Sequence, residues 1–294
     1  MNKLFKRAFT LIELLVVIAI IGILSGLIVV GMDGVTQKAT IAKAQVFSNS
    51  LRNALMLNLI SEWKFDGSGV VDGAAATTAY AQDSWGTGTG SIVGAPLVYS
   101  GASCIYGSCL YFDGVDDSLS VADSNVLDVS SITVEAWVKF TALPTIASAH
   151  LVSKDDAYWF TVDTAGSLDL KIKSYDANGT AASAVTGFAT GRWYHLVGSF
   201  DNSTKTIKYY VDGALVSGGG TIINNAQSST NTLYIGKSAT LANSLVHGYL
   251  DTIRLYNGPI PISQIEEDYY AGLNNLLIKG SISGEEYAGL LSSK

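Results

Sequence analysis

The chain begins with one long apolar run. From Phe9 to Met32 the only ionisable side chain is that of Glu13, and basic residues precede the run. About 20 apolar residues are enough to cross a hydrocarbon core that is roughly 30 Å thick. The pattern therefore predicts a transmembrane helix over residues 9–32. Because the positive charge lies before the run, the N-terminus is expected in the cytoplasm and the rest of the chain outside.

The apolar spacing changes after Met32. Over residues 35–60 apolar side chains recur at intervals of three to five positions, with polar side chains between them. That spacing is typical of an amphipathic helix. We therefore predict one long helix over residues 9–60, which spans the membrane and continues to a water-exposed domain.

From Glu62 onward, short apolar or alternating runs are separated by Gly, Asp and Asn. Asp113-Gly114, Asn178-Gly179 and Asp212-Gly213 have the composition of tight turns. Many short strands with frequent turns indicate a β-sandwich or jelly roll, which is predicted here over residues 61–258. The predicted strands are 109–112, 118–121, 132–140, 159–162, 168–172, 193–200, 206–211, 232–235 and 248–256.

Residues 259–294 are predicted to form a short helical C-terminal extension. Ser263-x-x-Glu266 and Ser283-x-x-Glu286 have the spacing of capping boxes, which begin helices. The sequence leaves open whether the first helix packs on the sandwich or docks on another subunit. Its apolar face consists of Ile265, Tyr269, Leu273 and Leu276.

Composition limits the classes of function. A chain of 294 residues has room for one membrane helix and one domain of about 200 residues. Its formal charge of −7 and pI near 4.9 leave no basic patch for phosphates, so nucleic acid is not an expected partner. Cys104 and Cys109 are predicted to form a disulfide in an oxidising exterior. The alternative, a metal pair, lacks a second Cys or His pair nearby.

The segment KRAFTLIELLVVIAIIGIL, residues 6–24, resembles the N-terminus of type IV prepilins and pseudopilins. An ordinary secretory signal fits less well, because its apolar core is roughly 7–15 residues long and precedes a cleavage site. The resemblance implies a leader peptide at residues 1–8, cleavage by a prepilin peptidase between Ala8 and Phe9, and N-methylation of Phe9. The family usually has Gly before the cut, so Ala8 is expected to slow cleavage rather than abolish it.

Glu13 lies about one helical turn after Phe9. A carboxylate in lipid is costly, and the α-amino group of Phe9 on a neighbouring subunit can neutralise it. Such a head-to-tail contact builds an open helical filament. We therefore predict that Phe9 and Glu13 direct assembly. The alternative is that Glu13 marks the membrane boundary.

Five segments of the predicted sandwich resemble, in order and spacing, the concanavalin A-like laminin G domain (the LamG-like group). The resemblance implies an all-β jelly roll that binds glycan or protein, in some members with calcium. The segments are EWKFDGSG, CLYFDGVDDSLSV, ITVEAWVKF, RWYHLVGSFDNSTKTIKYYVDG and GYLDTIRLYN.

Calcium is the one cofactor that the sequence suggests. Carboxylates and loop carbonyls supply the six to eight oxygens that Ca²⁺ requires, and a turn holds Asp113, Asp116 and Asp117. The resemblance implies a structural Ca²⁺ that ties the first strand to the last. Its candidate ligands here are Asp66, Asp72 and Asp251. The alternative is that such aspartates stabilise turns.

Catalysis is not expected. A retaining glycosidase needs two carboxylates about 5–5.5 Å apart, and the predicted strand 132–140 holds only Glu135. His195 lies in an apolar strand and is expected to be a buried structural residue. The tryptophans are assigned to the core first. Trp85, in a Gly-rich loop, is the one tryptophan exposed enough for sugar stacking, but a role within the fold is preferred for it as well.

These patterns together predict a type IV pilin-like filament subunit that displays a LamG-like domain for adhesion to glycan or extracellular protein. The alternatives are a minor pseudopilin of a type II secretion or DNA-uptake system and, more distantly, a surface glycoside hydrolase. The expected partners are other pilin or pseudopilin subunits, the prepilin peptidase and the membrane. We expect the chain in the cytoplasmic membrane before assembly and in an extracellular filament or at the cell surface afterwards.

Overall fold

The computed structural model describes residues 15–16, 58–174, 177–179, 184–185, 187–221 and 226–292. The chain divides into two units, Met1–Leu57 and Asn58–Lys294. The predicted leader and almost all of the predicted helix 9–60 lie outside the described residues, although Leu15 and Val16 are helical. Within the described part of the chain, none of the helices combines the length and apolar character needed to cross a membrane.

The second unit consists of β-strands followed by two helices. We number the strands β1 to β17 and the helices α1 and α2 in chain order. The strands are β1 (Leu59–Trp63), β2 (Ala74–Ala75), β3 (Ser91–Val93), β4 (Leu97–Ser100), β5 (Ser108–Asp113), β6 (Ser118–Val121), β7 (Ile132–Phe140), β8 (Ala149–Lys154), β9 (Tyr158–Val162), β10 (Ser167–Ser174), β11 (Ala177–Gly179), β12 (Ala184–Val185), β13 (Trp193–Asp201), β14 (Thr206–Val211), β15 (Ala214–Thr221), β16 (Leu233–Ile235) and β17 (His247–Tyr256). The helices are α1 (Ile262–Ile278) and α2 (Gly284–Ser292), with 3-10 turns at Thr78–Ala81, Gly101–Ser103 and Asn125–Leu127.

The strands form two antiparallel sheets that pack face to face. The first sheet has the order β15-β14-β13-β7-β17-β5-β4-β2, and β1 also pairs with β17. The second has the order β11-β10-β9-β8-β16-β6-β3, and β12 pairs with β10. Alternate residues of each strand point between the sheets. Val134, Ala136 and Val138 of β7 thus join Phe160 and Leu170 of the second sheet in one buried core.

The nine predicted strands correspond to nine of the seventeen strands that the described residues form. The predictions 118–121, 132–140 and 206–211 match β6, β7 and β14 at both ends, and the other six differ by one or two residues at an end. Asp212-Gly213 forms the two-residue turn between β14 and β15, where both residues have positive φ, as in a type I′ turn. Asn178-Gly179, by contrast, lies within β11, which corrects the turn prediction.

The prediction that the long helix continues to Ile60 is also wrong at its end. Strand β1 begins at Leu59 and pairs with β17, with Leu59 opposite Tyr256. Both of these side chains are buried. At the end of the predicted helix, pairing with β17 therefore determines the conformation of the chain, although the apolar spacing is helical.

Helix α1 covers the outer face of the first sheet. The predicted apolar face is buried, and its Tyr269, Leu273 and Leu276 join two tryptophans, Trp137 and Trp193, in a second cluster. Helix α1 therefore packs on the sandwich. The prediction of a capping box at Ser263 and Glu266 is wrong, because Pro261 is the N-cap of α1 and no side chain caps the helix. The second capping box is confirmed: Glu286 N donates to Ser283 Oγ over 3.1 Å, and Ser283 N to Glu286 Oε2 over 3.5 Å.

Candidate functional site

The outer face of the second sheet carries a groove across β8, β9 and β10, which we call the front groove. It encloses about 450 Å³, and the loop around Thr240 and Leu241 closes one side. Small-molecule sites in proteins are typically clefts of roughly 300–1,000 Å³. The residues that line it are Ala147, Ser148, His150, Asp156, Trp159, Lys171, Lys173, Thr240, Leu241 and Ala242.

Trp159 provides an aromatic surface in the front groove. Its neighbours Tyr158 and Phe160 point into the core, so alternation places Trp159 on the outer face, where it is half-buried. The indole Nε1 donates to Asp155 Oδ1 over 2.8 Å. Asp155 Oδ2 in turn accepts the backbone N–H of Thr240 over 2.9 Å. These bonds fix the ring and the loop together.

His150 and Thr161 lie opposite each other in the β8–β9 ladder. His150 lines the front groove and is 3% exposed. Within the described residues, His150 Nδ1 and Thr161 Oγ1 are buried without a hydrogen-bond partner. Burial lowers the pKa of His150 to about 4, so its ring is neutral at physiological pH. Buried polar atoms without a partner are uncommon in proteins. His150 lines the groove and Thr161 does not, so a ligand bound in the groove would be a partner for His150 Nδ1.

Each lysine at the front groove has an acidic partner. Lys171 is opposite Trp159 in the β9–β10 ladder, and its Nζ lies 3.4 Å from Asp169 Oδ2. Lys173 pairs with Asp156. The groove therefore offers a rigid aromatic ring surrounded by hydrogen-bond donors and acceptors, without an excess of one charge. Such a surface suits a polyhydroxylated ligand.

The sequence did not single out Trp159, which it assigned to the core. Trp85 was the one tryptophan considered for sugar stacking, although a role within the fold was preferred for it. It is 50% exposed, but it does not line the front groove. Its loop is ordered by Asp83, whose carboxylate accepts the backbone N–H groups of Trp85, Gly86 and Gly88. The alternation of β9 was the available signal, because it turns Trp159 away from Tyr158 and Phe160.

The three predicted calcium ligands have separate partners. Asp72 Oδ1 accepts from Ser100 Oγ over 2.8 Å, and Asp66 Oδ1 accepts from Ser108 N over 2.8 Å. Asp251 is fully buried, and its Oδ2 accepts the N–H groups of Ile105 and Tyr106. Among the described residues these three do not form a cluster of potential ligands. Calcium binding by them stays a prediction.

A different group of acids is clustered. The carboxylates of Asp113, Asp116 and Asp117, in the turn from β5 to β6, offer oxygens within 4.8 Å of one another. Asp117 is buried and accepts Ala95 N over 2.7 Å and Asp113 N over 3.0 Å. These bonds show that Asp117 stabilises the turn.

The predicted disulfide is confirmed. Cys104 and Cys109 are bonded, with their Cα atoms 5.5 Å apart. The closed loop lies against the first sheet, where its backbone binds Asp251. Disulfide formation leaves neither sulfur available as a thiolate ligand.

Glu135 and His195 are buried under α1. Glu135 Oε1 lies 2.9 Å from His195 Nε2 and accepts from Arg254 over 3.0 Å, while its Oε2 accepts from Tyr256 over 2.9 Å. Burial alone would raise the pKa of Glu135, but the charge of Arg254 and the bond with His195 hold it below its ordinary value. His195 is therefore the buried structural residue that the sequence predicted.

The processing and assembly residues Ala8, Phe9 and Glu13 lie outside the described residues. A prokaryotic N-terminal methylation motif matches residues 5–29, which implies membrane insertion and display on a surface or filament. The model of the concanavalin A-like lectin/glucanases superfamily matches residues 113–266. Among curated proteins, no sequence matches the chain.

Solved structures share the sandwich. Domain 4 of AbnA, a GH43 extracellular arabinanase from Geobacillus stearothermophilus solved with arabinotriose, is 20% identical, covers 71% of this chain and 97% of its own, and has a TM-score of 0.55. The binding domain of Paraclostridial Mosquitocidal Protein 1 is 13% identical over 75% of this chain, with a TM-score of 0.56. Botulinum neurotoxin type C, which depends on two ganglioside molecules to enter cells, is 10% identical over 75% of this chain, with a TM-score of 0.52. This chain covers 53% of each toxin chain. Such identities show the fold alone.

Proposed function

The chain belongs to the concanavalin A-like lectin/glucanases superfamily, and from that premise we propose that it is a type IV pilin-like filament subunit whose sandwich binds a glycan in the front groove. One observation carries the binding proposal. Trp159 is a fixed, half-buried ring beside His150, which is 3% exposed and whose Nδ1 has no hydrogen-bond partner among the described residues. A sugar stacks its C–H face on an aromatic ring and places its hydroxyl groups against such polar atoms.

The structural neighbours support this class of ligand. The arabinanase domain was solved with a trisaccharide, and the neurotoxin interacts with gangliosides. The trisaccharide was solved on a domain that this chain covers almost completely, whereas this chain covers 53% of the neurotoxin chain. The balanced charges of Lys171 with Asp169 and Lys173 with Asp156 favour a neutral oligosaccharide over a strongly charged one.

The assembly part of the proposal rests on the methylation motif. Cleavage between Ala8 and Phe9 creates a new α-amino group, and Glu13 on a neighbouring subunit pairs with it. The prepilin peptidase and other pilin or pseudopilin subunits are then partners, and the head is displayed outside the cell. A minor pseudopilin of a secretion or DNA-uptake system has the same N-terminus, and its low stoichiometry in the filament would distinguish it.

We also propose that the chain is not a glycoside hydrolase. Glu135 is fully buried beneath α1, and hydrogen bonds from Arg254 and Tyr256 occupy its carboxylate.

A structural calcium ion at Asp66, Asp72 and Asp251 is a separate proposal, which isothermal titration with CaCl₂ tests. No binding at millimolar Ca²⁺ would remove it.

A glycan array probed with the full chain in lipid nanodiscs tests the binding proposal. We expect binding to a restricted set of oligosaccharides. Trp159→Ala is expected to weaken it roughly tenfold or more, because truncating a central tryptophan costs about 2 kcal/mol or more. Trp85→Ala is the matched control, since Trp85 is also exposed but lies outside the groove. Binding that survives Trp159→Ala and is lost in Trp85→Ala would contradict the assignment.

A further inference from the structure

A second cavity lies on the opposite side of the sandwich, between the outer face of the first sheet and the C-terminal helices. We call it the back cavity. It encloses about 440 Å³ and is lined by residues of β7, β13, α1 and α2. It is separate from the front groove, with which it has no lining residue in common.

Trp193 supplies an unused hydrogen-bond donor at the back cavity. The residue lines the cavity and is 7% exposed. Its Nε1 is buried, and no hydrogen-bond partner for it exists among the described residues. A buried indole N–H usually has an acceptor, so this donor points to an acceptor supplied by a ligand.

Lys139 supplies a cation beside that donor. Its Nζ lies 5.2 Å from the ring centroid of Trp193 and 4.2 Å from that of Tyr249, and it donates to Ser103 O over 3.1 Å. In the described part of the chain, no carboxylate lies within ion-pair distance of it. Burial lowers its pKa. An ammonium group has three donors, and one carbonyl does not neutralise its charge.

The acids near the back cavity are already engaged. Asp212 pairs with Arg192 and accepts the backbone N–H of His195. Glu286 bonds with Ser283 in the capping box of α2. Neither acid is within ion-pair distance of Lys139, so its charge calls for an external anion.

Part of the back cavity wall is apolar, while Arg192, Asp212, Ser281 and Glu286 also line the cavity. Trp137 lies on the sheet side, Leu273 and Leu276 come from α1, and Ile282 lies in the connection to α2. The cavity therefore places the Trp193 donor and the Lys139 ammonium group next to an apolar surface. That combination fits an amphipathic anion.

We propose that the back cavity binds a small monocarboxylate with an apolar or aromatic body. Its carboxylate accepts hydrogen bonds from Trp193 Nε1 and Lys139 Nζ, and its body packs against Trp137, Leu273 and Leu276. The proposal goes beyond glycan binding and does not depend on it.

Ligand-observed saturation-transfer NMR tests the proposal, with 3-phenylpropanoate as the probe, the full chain in lipid nanodiscs and empty nanodiscs as the blank. We expect the acid to bind and its neutral amide, 3-phenylpropanamide, to bind roughly tenfold more weakly or worse, because a charge-assisted hydrogen bond is lost. Lys139→Met and Trp193→Phe are each expected to weaken binding of the acid. Lys171→Met is the matched control, since Lys171 lies in the front groove.

Three results would overturn the proposal: no saturation transfer to the acid, equal binding of acid and amide, or equal losses in the Lys139 and Lys171 variants. Thermal unfolding of each variant identifies a folding defect. Should Lys139→Met fail to fold, Trp193→Phe decides alone, because it removes only the N–H group and keeps an aromatic ring.

Discussion

Arg254 Nε donates a hydrogen bond to Glu62 Oε1 over 2.8 Å, across 192 positions of sequence. The two residues face each other in the β1–β17 ladder. The same guanidinium contacts Glu135 at 3.0 Å and Asp268 at 3.1 Å through Nη1. One buried cation therefore joins the first strand, the central strand β7 and helix α1.

Arg254→Met is expected to destabilise the fold by roughly 3–5 kcal/mol, because removing one partner leaves buried carboxylates without a counter-charge. Chemical denaturation followed by circular dichroism measures the loss. Lys64→Met is the matched control. Lys64 also contacts Glu62, at 3.2 Å, but its side chain is 46% exposed, so its removal is expected to cost at most about 1 kcal/mol. Equal costs for the two variants would show that burial of the network is unimportant.

Asp251 gives the stability a dependence on pH. Burial raises its pKa from 3.8 to about 7. Between these values the folded state retains a proton that the unfolded state has released. The contribution of Asp251 to the free energy of unfolding therefore declines as the pH rises from about 4 to about 7. Asp251→Asn removes the titration. As the pH rises from 5 to 8, the free energy of unfolding of the variant is expected to increase by at least about 1 kcal/mol relative to that of the original chain. The reason is that one pKa unit corresponds to about 1.4 kcal/mol.

Unfolding of both proteins at a series of pH values measures that difference. The comparison isolates Asp251, because His150 titrates in both proteins and its lowered pKa gives the opposite slope. A difference between the two proteins that does not change with pH would mean that Asp251 is already ionised in the folded state.

The Cys104–Cys109 disulfide is expected to contribute about 2 kcal/mol, at the low end for disulfides because the loop that it closes is short. The loop has further anchors, since Lys279 Nζ donates to Cys104 O over 3.2 Å and Asp251 binds its backbone. The double variant Cys104→Ser, Cys109→Ser should therefore fold with a lower melting temperature. The original chain with its disulfide reduced should have the same melting temperature as the double variant. A double variant with the melting temperature of the oxidised original chain would contradict the prediction.

Glu13→Gln is expected to leave membrane insertion intact but to block or misorder filaments, because a neutral amide cannot neutralise the α-amino group of Phe9. Membrane fractionation and electron microscopy measure the two effects separately. Normal filaments from this variant would rule out the proposed pairing.

Ala8→Gly is expected to speed leader removal, because the family usually has Gly at this position. The fraction of processed chain, read from a band shift on a gel, measures the effect. The same fraction in both proteins would show that the prepilin peptidase accepts Ala8 fully.

Much of the fold followed from periodicity, because each strand with one face in the core alternates regularly. Eight of the described strands were not among the predicted ranges. In one of them, β8, the register shifts between His150 and Val152, which breaks that alternation. The buried network could not be predicted either. Glu62, Glu135 and Arg254 look like ordinary surface charges within their own segments, and only the pairing of distant strands brings them together.

The front groove was missed for the same reason. Its residues come from three strands and a loop that begins more than sixty positions beyond β10. The sequence identified the disulfide because both cysteines lie in one short loop. It identified the methylation motif because that motif is continuous. Sites built from local sequence were therefore accessible, whereas sites built by sheet topology were not.

Strand β1 also has a mechanical consequence. Any traction exerted along the polypeptide from Leu57 enters the sandwich at Asn58 and loads β1 first. To peel this strand away, a pulling force must rupture its ladder with β17 together with the Glu62–Arg254 ion pair. The strand at which the chain enters the sandwich is thereby held by both backbone pairing and a buried ion pair.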